Sequence, residues 1–165
     1  MIVYPLAPLL NLRFFRQDKA MRWLHTCELN LTRCRNQVKK AVKEHESFLA
    51  WLAREEEDRY QGIMDKEMTL DEVDEFKQGL LAIRARESLY LEKILKARQE
   101  VDLAKQAVTK AKQALLAAQK GTLRIEAHRD RWIEIAELEA ERAEEREMED
   151  FIPKKNDWFA SEASL

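Results

Sequence analysis

Residues Val73–Ala136, VDEFKQGLLAIRARESLYLEKILKARQEVDLAKQAVTKAKQALLAAQKGTLRIEAHRDRWIEIA, decide the fold. From Val73, steps alternating between three and four residues reach Phe76, Leu80, Ile83, Glu87, Tyr90, Ile94, Ala97, Val101 and Ala104. The same step continues through Val108, Ala111, Leu115, Ala118, Thr122, Ile125, Arg129, Trp132 and Ala136, and only Glu87, Thr122 and Arg129 are polar. An apolar repeat of about 3.5 residues sustained over so many turns keeps one seam against a partner helix only if the helices supercoil left-handedly. At about 1.5 Å per residue the stretch predicts an element on the order of 100 Å long, which a compact domain of this size does not contain.

The partner helix lies upstream. A second seam in the same alternating step reads Leu24, Cys27, Leu31, Cys34, Val38, Ala41, His45, Phe48 and Leu52. Pro5 and Pro8 are tolerable only ahead of a helix or in its first turn, so the first helix starts between Leu6 and Leu9. Gly62 marks its end as a C-terminal cap. Thr69-Leu70-Asp71-Glu72 is a capping box, in which Thr69 and Glu72 exchange hydrogen bonds with each other's backbone N–H. Ile63–Met68 is short enough to force the chain back on itself, which places residue i opposite roughly residue 131 − i.

The expected fold is all-α: two long helices forming an antiparallel coiled-coil hairpin, the second helix longer. It is one hairpin over 1–153, with helix 1 about 8–61, a turn at 62–69 and helix 2 about 70–150, then a flexible tail at 154–165. The second arm is expected to overhang the first over about 126–150, and the helix to continue through Gly121.

Composition agrees with few, long helices. Ala, Leu, Glu, Lys and Arg make up more than half the chain, and there are only three Gly and three Pro to punctuate turns. The net charge of −2 conceals an uneven distribution. Residues 1–43 carry nine basic side chains against Asp18 and Glu28, whereas 134–150 carry nine carboxylates against Arg142 and Arg146. Cys27 and Cys34 are two turns apart on one face, about 10 Å along the helix, too far to bridge. They read as small seam residues in a reducing compartment. The apolar start, Met1–Leu10, lacks a basic flank and contains two prolines, so it is neither a signal peptide nor a membrane span.

No catalytic constellation, cofactor site or metal site emerges. His25, His45 and His128 are isolated and lack zinc-ligand spacing, and Gly62, Gly79 and Gly121 form no phosphate loop. The basic first arm interleaves Phe14, Phe15 and Trp23, but the acidic end and a pI of about 6.0 oppose a nucleic-acid role. The basic residues surround the helix, which excludes a membrane-surface face. What remains is protein–protein contact. Phe15, Trp23, Leu49, Trp51, Leu81, Leu89 and Leu91 lie off the seam, and Trp is among the residues that dominate contact energies.

Leu10-x-Leu12-Arg13-x-x-Arg16-x-x-Lys19-Ala20, Phe48-Leu49-Ala50-Trp51 with Glu55-Glu56-Glu57, Met68-Thr69-Leu70 through Phe76, and the Glu-rich block Glu134–Phe151 together resemble the YscO (SctO) family of bacterial type III secretion. The likeness spans about residues 9–151. The resemblance implies a cytoplasmic hairpin, related to flagellar FliJ and similar to the coiled coil of the F-ATPase γ subunit, peripheral to the inner-membrane export apparatus. It implies a central stalk of the export ATPase ring (SctN-like) that contacts the cytoplasmic domain of the export gate (SctV-like), with chaperones of translocator proteins as further partners. On this chain the gate contact corresponds to Phe48, Trp51, Phe76, Leu80 and Leu81. The ring contact falls on Arg13, Arg16, Lys19 and Arg22, which with Lys110, Lys112, Lys120 and Arg124 are expected to form a basic collar. The protein is expected to be a monomer that neither inserts into a membrane nor binds nucleic acid. A substrate or chaperone escort would need an open apolar groove between the arms; a plain structural coiled coil would dimerise through the overhang.

Overall fold

The computed structural model describes residues 3–151, the side chain of Phe151 excepted; the tail expected over 154–165 lies outside them. The described residues form three helices and no strand: α1 (Ala7–Ile63), α2 (Leu70–Ala85) and α3 (Glu87–Phe151). Two compact units are distinguished. One is Lys19–Leu115, and the other joins Met1–Asp18 to Leu116–Leu165. In each unit a stretch of α1 packs antiparallel against the returning arm.

Tyr4 starts α1, its carbonyl accepting the Ala7 N–H at 3.2 Å. Pro8 falls in the first turn, where a missing N–H costs nothing. The other end corrects the sequence reading. Gly62 is not the cap, because no glycine has a positive φ; α1 runs through it to Ile63, whose carbonyl accepts the Lys66 N–H at 3.2 Å. The capping box opens α2 as read. The Thr69 N–H donates to Glu72 Oε2 at 2.7 Å and the Glu72 N–H to Thr69 Oγ1 at 3.4 Å. The Thr69 backbone N–H, then its hydroxyl, holds the Glu72 carboxyl below the usual carboxylate range.

The second arm is not one unbroken helix. It is interrupted at Arg86, whose N–H bonds to Ile83 O at 3.1 Å while the Leu89 N–H bonds to Arg86 O at 3.2 Å. Both are three-residue bonds, tighter than the α-helical ladder. Ser88 supplies the reason. Its hydroxyl donates to the Ala85 carbonyl at 2.8 Å, the acceptor that an α-helix would give to Leu89, and serine competes with the backbone in this way.

In the unit 19–115 neither seam has an exposed member: Leu24 through Leu52 on α1 and Val73 through Leu115 on α2 and α3 are all buried or half-buried. The tightest packing joins Phe48, Leu52 and Ile83, with Tyr90 stacked on Phe48 at 4.6 Å. Two seam positions are polar and satisfy each other, His45 Nε2 lying 3.0 Å from Glu87 Oε1. Cys34 is buried, Cys27 half-buried, and both are free thiols. Arg84 bridges to Glu56 at 2.6 Å and Lys93 to Glu44 across the arms. The register follows the 131 − i rule where Phe48 packs with Ile83 and His45 meets Glu87. Other contacts, Glu44 with Lys93, Tyr60 with Phe76 and Arg59 over Gly79, reach further along the second arm. Part of the cause is that α1 reaches Ile63, which moves the centre of the connection later in the chain.

In the other unit, Ala118, Thr122, Ile125, Arg129, Trp132 and Ala136 are likewise buried or half-buried. Thr122 turns its hydroxyl onto the Ala118 carbonyl at 3.1 Å, and so tolerates burial without a distant partner. The apolar start acquires a role here. Tyr4, 8% exposed, donates or accepts at His128 Nδ1 at 2.8 Å and lies 5.6 Å from the Trp132 ring. It therefore covers part of the stretch expected to overhang, and residues are exposed without interruption only from 137 to 150.

Phe48→Ala removes the centre of the packed cluster and is expected to cost about 3 kcal/mol or more by urea unfolding, whereas Trp51→Ala changes stability far less. Acid is expected to weaken the cross-arm pairs. The Lys93 hydrogen bond lowers the Glu44 carboxyl and the Arg84 hydrogen bond lowers that of Glu56, both from an ordinary 4.5. Groups lowered in the folded state stabilise it above the unfolded value, and that contribution disappears as pH falls through the folded value. The melting temperature should hold above pH 4.5 and decline below it. A Glu44→Gln/Glu56→Gln variant should decline less steeply; an identical profile would remove these pairs from the account.

Candidate protein-docking surface

The described residues offer no concentrated chemistry. No group of three or more His, Cys, Asp or Glu side chains among them is placed to hold a metal, and none of their helices is long and apolar enough to cross a membrane. Their distinctive feature is apolar surface left outside filled seams.

The residues read as a gate contact divide into two kinds. Phe48 and Leu80 are buried, 6% and 5% exposed, and Phe76 is half-buried with its ring edge-on to Tyr60 at 5.4 Å. These three hold the arms together. Trp51 and Leu81 stand outside, 42% and 63% exposed. Helical spacing explains the division for the α1 pair. Phe48 and Leu52 occupy consecutive seam positions four apart, and Trp51 falls beside them with its ring 5.7 Å from Phe48.

Around Trp51 the structure assembles residues that the sequence reading did not group. The guanidinium of Arg86 lies 5.8 Å from the Trp51 ring centre, within cation–π range. An open groove of about 560 Å³ runs past it, lined by Lys40, Lys43, Phe48, Trp51, Arg86 and Tyr90 together with Glu44 and Ser47. Phe48 and Tyr90 stack face to face within it. The available sequence signals were the four-residue spacing of Lys40 and Glu44 and the serine that interrupts the second arm at Arg86.

Phe15, Trp23, Leu49, Leu89 and Leu91 are exposed, as their off-seam positions imply. The basic residues read as a collar divide between the units. Arg13, Arg16, Lys120 and Arg124 lie in one; Lys19, Arg22, Lys110 and Lys112 lie in the other. Arg16 and Lys19 are exposed. Arg13 departs from the expectation of an outward-facing cation. It is half-buried, its guanidinium lies across Gly121, and its Nε is buried without an acceptor among the described residues. A Cβ on Gly121 would meet that guanidinium at 3.0 Å. The glycine is thus the place where α3 admits an α1 side chain, which is why a weak helix former is tolerated there.

The chain matches the family model described as Type III secretion protein YscO over residues 6–154. Two solved structures share the fold. One is a YscO homolog, CT670, from Chlamydia trachomatis, 21% identical with a TM-score of 0.75, the match covering 91% of this chain and 92% of that one. The other is the type III secretion protein YscO of Vibrio parahaemolyticus, 20% identical with a TM-score of 0.79, covering 88% and 92%. No curated protein sequence matches the chain.

The Arg13–Gly121 contact is testable by a double-mutant cycle. Gly121→Ala alone should change stability little, because a helix-propensity gain of about 1 kcal/mol is offset by displacement of Arg13. In an Arg13→Ala background the same change should deliver most of that gain. Equal effects in both backgrounds would show that Arg13 does not pack on the glycine.

Proposed function

The chain belongs to the YscO family of type III secretion proteins, and from that membership we propose that it is the central stalk between the export ATPase ring and the export gate. In this reading it acts in the cytoplasm as a monomer, peripheral to the inner-membrane export apparatus. The observation that carries it is the pairing of filled seams with exposed off-seam side chains, Trp51 and Leu81 above all. Among the described residues the seam side chains are spent on each other, so partner contacts fall on what stands outside the seams.

Two surfaces share the work. The gate contact comprises Trp51 and Leu81, supported from beneath by Phe48, Phe76 and Leu80. The ring contact uses the basic residues of α1, Arg13 and Arg16 in one unit and Lys19 and Arg22 in the other, each making its own electrostatic contact. Such charges orient a partner and speed its encounter without requiring close packing. Chaperones of translocator proteins would dock on the same outer surface as the gate.

Separate variants distinguish the two surfaces. Trp51→Ala with Leu81→Ala is expected to fold normally and to weaken gate-domain binding about thirtyfold or more, the effect of losing one interfacial tryptophan. ATPase stimulation should be retained. Arg16→Glu with Lys19→Glu, which spares the packed Arg13, is expected to do the reverse and to abolish salt-sensitive binding to the ring. Unchanged gate binding by the first variant, or full stimulation of ATP hydrolysis by the second at low salt, would sink the corresponding assignment.

A further inference from the structure

The groove beside Trp51 has a composition that specifies what fits it. Its charged rim is Lys40, Lys43, Arg86 and Glu44. Glu44 is the rim's one carboxylate, and Lys93 already engages it from the opposite arm, with Lys40 adding to the field that lowers its pKa. Lys40, Lys43 and Arg86 have no carboxylate within ion-pair distance among the described residues. The rim therefore presents uncompensated positive charge. Its walls are aromatic: Phe48 and Tyr90 stacked at 4.6 Å, and Trp51 held 5.7 Å from Phe48 with Arg86 at its face. Trp51 remains 42% exposed although it has neighbours on two sides.

We propose that this groove is a docking site for an acidic segment of a partner protein that carries one large apolar side chain. The apolar side chain enters against Trp51, Phe48 and Tyr90 and completes the burial of the indole. Carboxylates on the segment take the charges of Lys40, Lys43 and Arg86. A basic segment is repelled by the same rim, and a neutral apolar one leaves three cations beside a newly dried surface. Selectivity thus comes from charge and anchorage from the aromatic step, the division of labour usual at protein interfaces. The break at Arg86 serves the site, because it is the residue at the interruption that carries the guanidinium over the ring. The inference extends the gate contact proposed for Trp51 and rests on that reading for the partner's identity, though not for its chemistry.

The test uses the full chain and a random fifteen-residue peptide library displayed on phage. The library is panned at low salt and counter-selected on a Lys40→Glu/Lys43→Glu variant whose melting temperature is checked against the parent. Enriched peptides are expected to be rich in Asp and Glu around a single Trp, Phe or Leu. Synthesised, they should bind the parent at least tenfold more tightly than either the charge-reversed variant or Trp51→Ala, and more weakly as salt is raised. Enrichment without acidic excess, enrichment that survives on the charge-reversed variant, or no enrichment at all would overturn the proposal. Adding the gate domain separates the two readings. A selected peptide that binds the groove but does not compete with the gate leaves this inference standing and removes the gate from the site. Gate binding that needs Trp51 and Leu81 but ignores Lys40 and Lys43, with no acidic peptides selected, does the opposite.

Discussion

Everything in this structure depends on one constraint: an apolar stripe that repeats every three and four residues must be covered, and a lone helix cannot cover its own. The chain meets the constraint by folding back at 64–69 and laying one stripe on another. The consequence is visible position by position, since no member of either seam is exposed in the unit to which it belongs. Burial of this kind is thin. Small residues such as Cys34, Ala41, Ala97, Ala104 and Ala111 are about as well covered as Phe48 or Ile83. A two-layer contact offers no interior beyond the seam, so each large seam residue carries an unusual share of the stability.

The same thinness explains the treatment of polar seam positions. Glu87 faces His45, Thr122 bonds to its own helix at Ala118, and Arg129 turns to Asp130. None needs a buried network, since Glu87 and Arg129 are only half-buried and Thr122, though buried, satisfies its hydroxyl on its own helix. Where the arms do exchange charge, in Arg84–Glu56 and Lys93–Glu44, the pairs flank the aromatic cluster of Phe48, Leu52, Ile83 and Tyr90. Exposed pairs of this type contribute little individually.

A hairpin that closes its own seam has only its outer surface with which to act. This is what links the fold to a part in type III secretion, the system to which the chain's family belongs. Aromatic side chains outside the seam, Trp51 most of all, cannot be accounted for by the packing of the arms. The charge is uneven as well. Cations dominate the early part of α1, and every residue from 137 to 150, most of them acidic, is exposed.

The sequence by itself determined the fold class, the two seams, the capping box at Thr69 and the exposed status of Trp51 and Leu81. All of these follow from periodicity and local hydrogen bonding, which involve residues within a turn or two of one another. The turn-by-turn register, which departs from 131 − i in places such as Glu44–Lys93, the interruption at Arg86, the packing of Tyr4 on His128 and Trp132, and the resting of Arg13 on Gly121 were decided only by the tertiary structure. An alternating three-four repeat looks nearly the same after a shift of one heptad, so it cannot say which turn of α1 faces which turn of the second arm. A lysine or arginine on a helix surface likewise carries no mark of whether a neighbouring helix leaves room for it, as Gly121 does for Arg13. The groove beside Trp51 is of this second kind. Its residues come from positions 40 to 51 on one arm and 86 to 90 on the other, and only the pairing of the arms brings cations and aromatic rings into one surface.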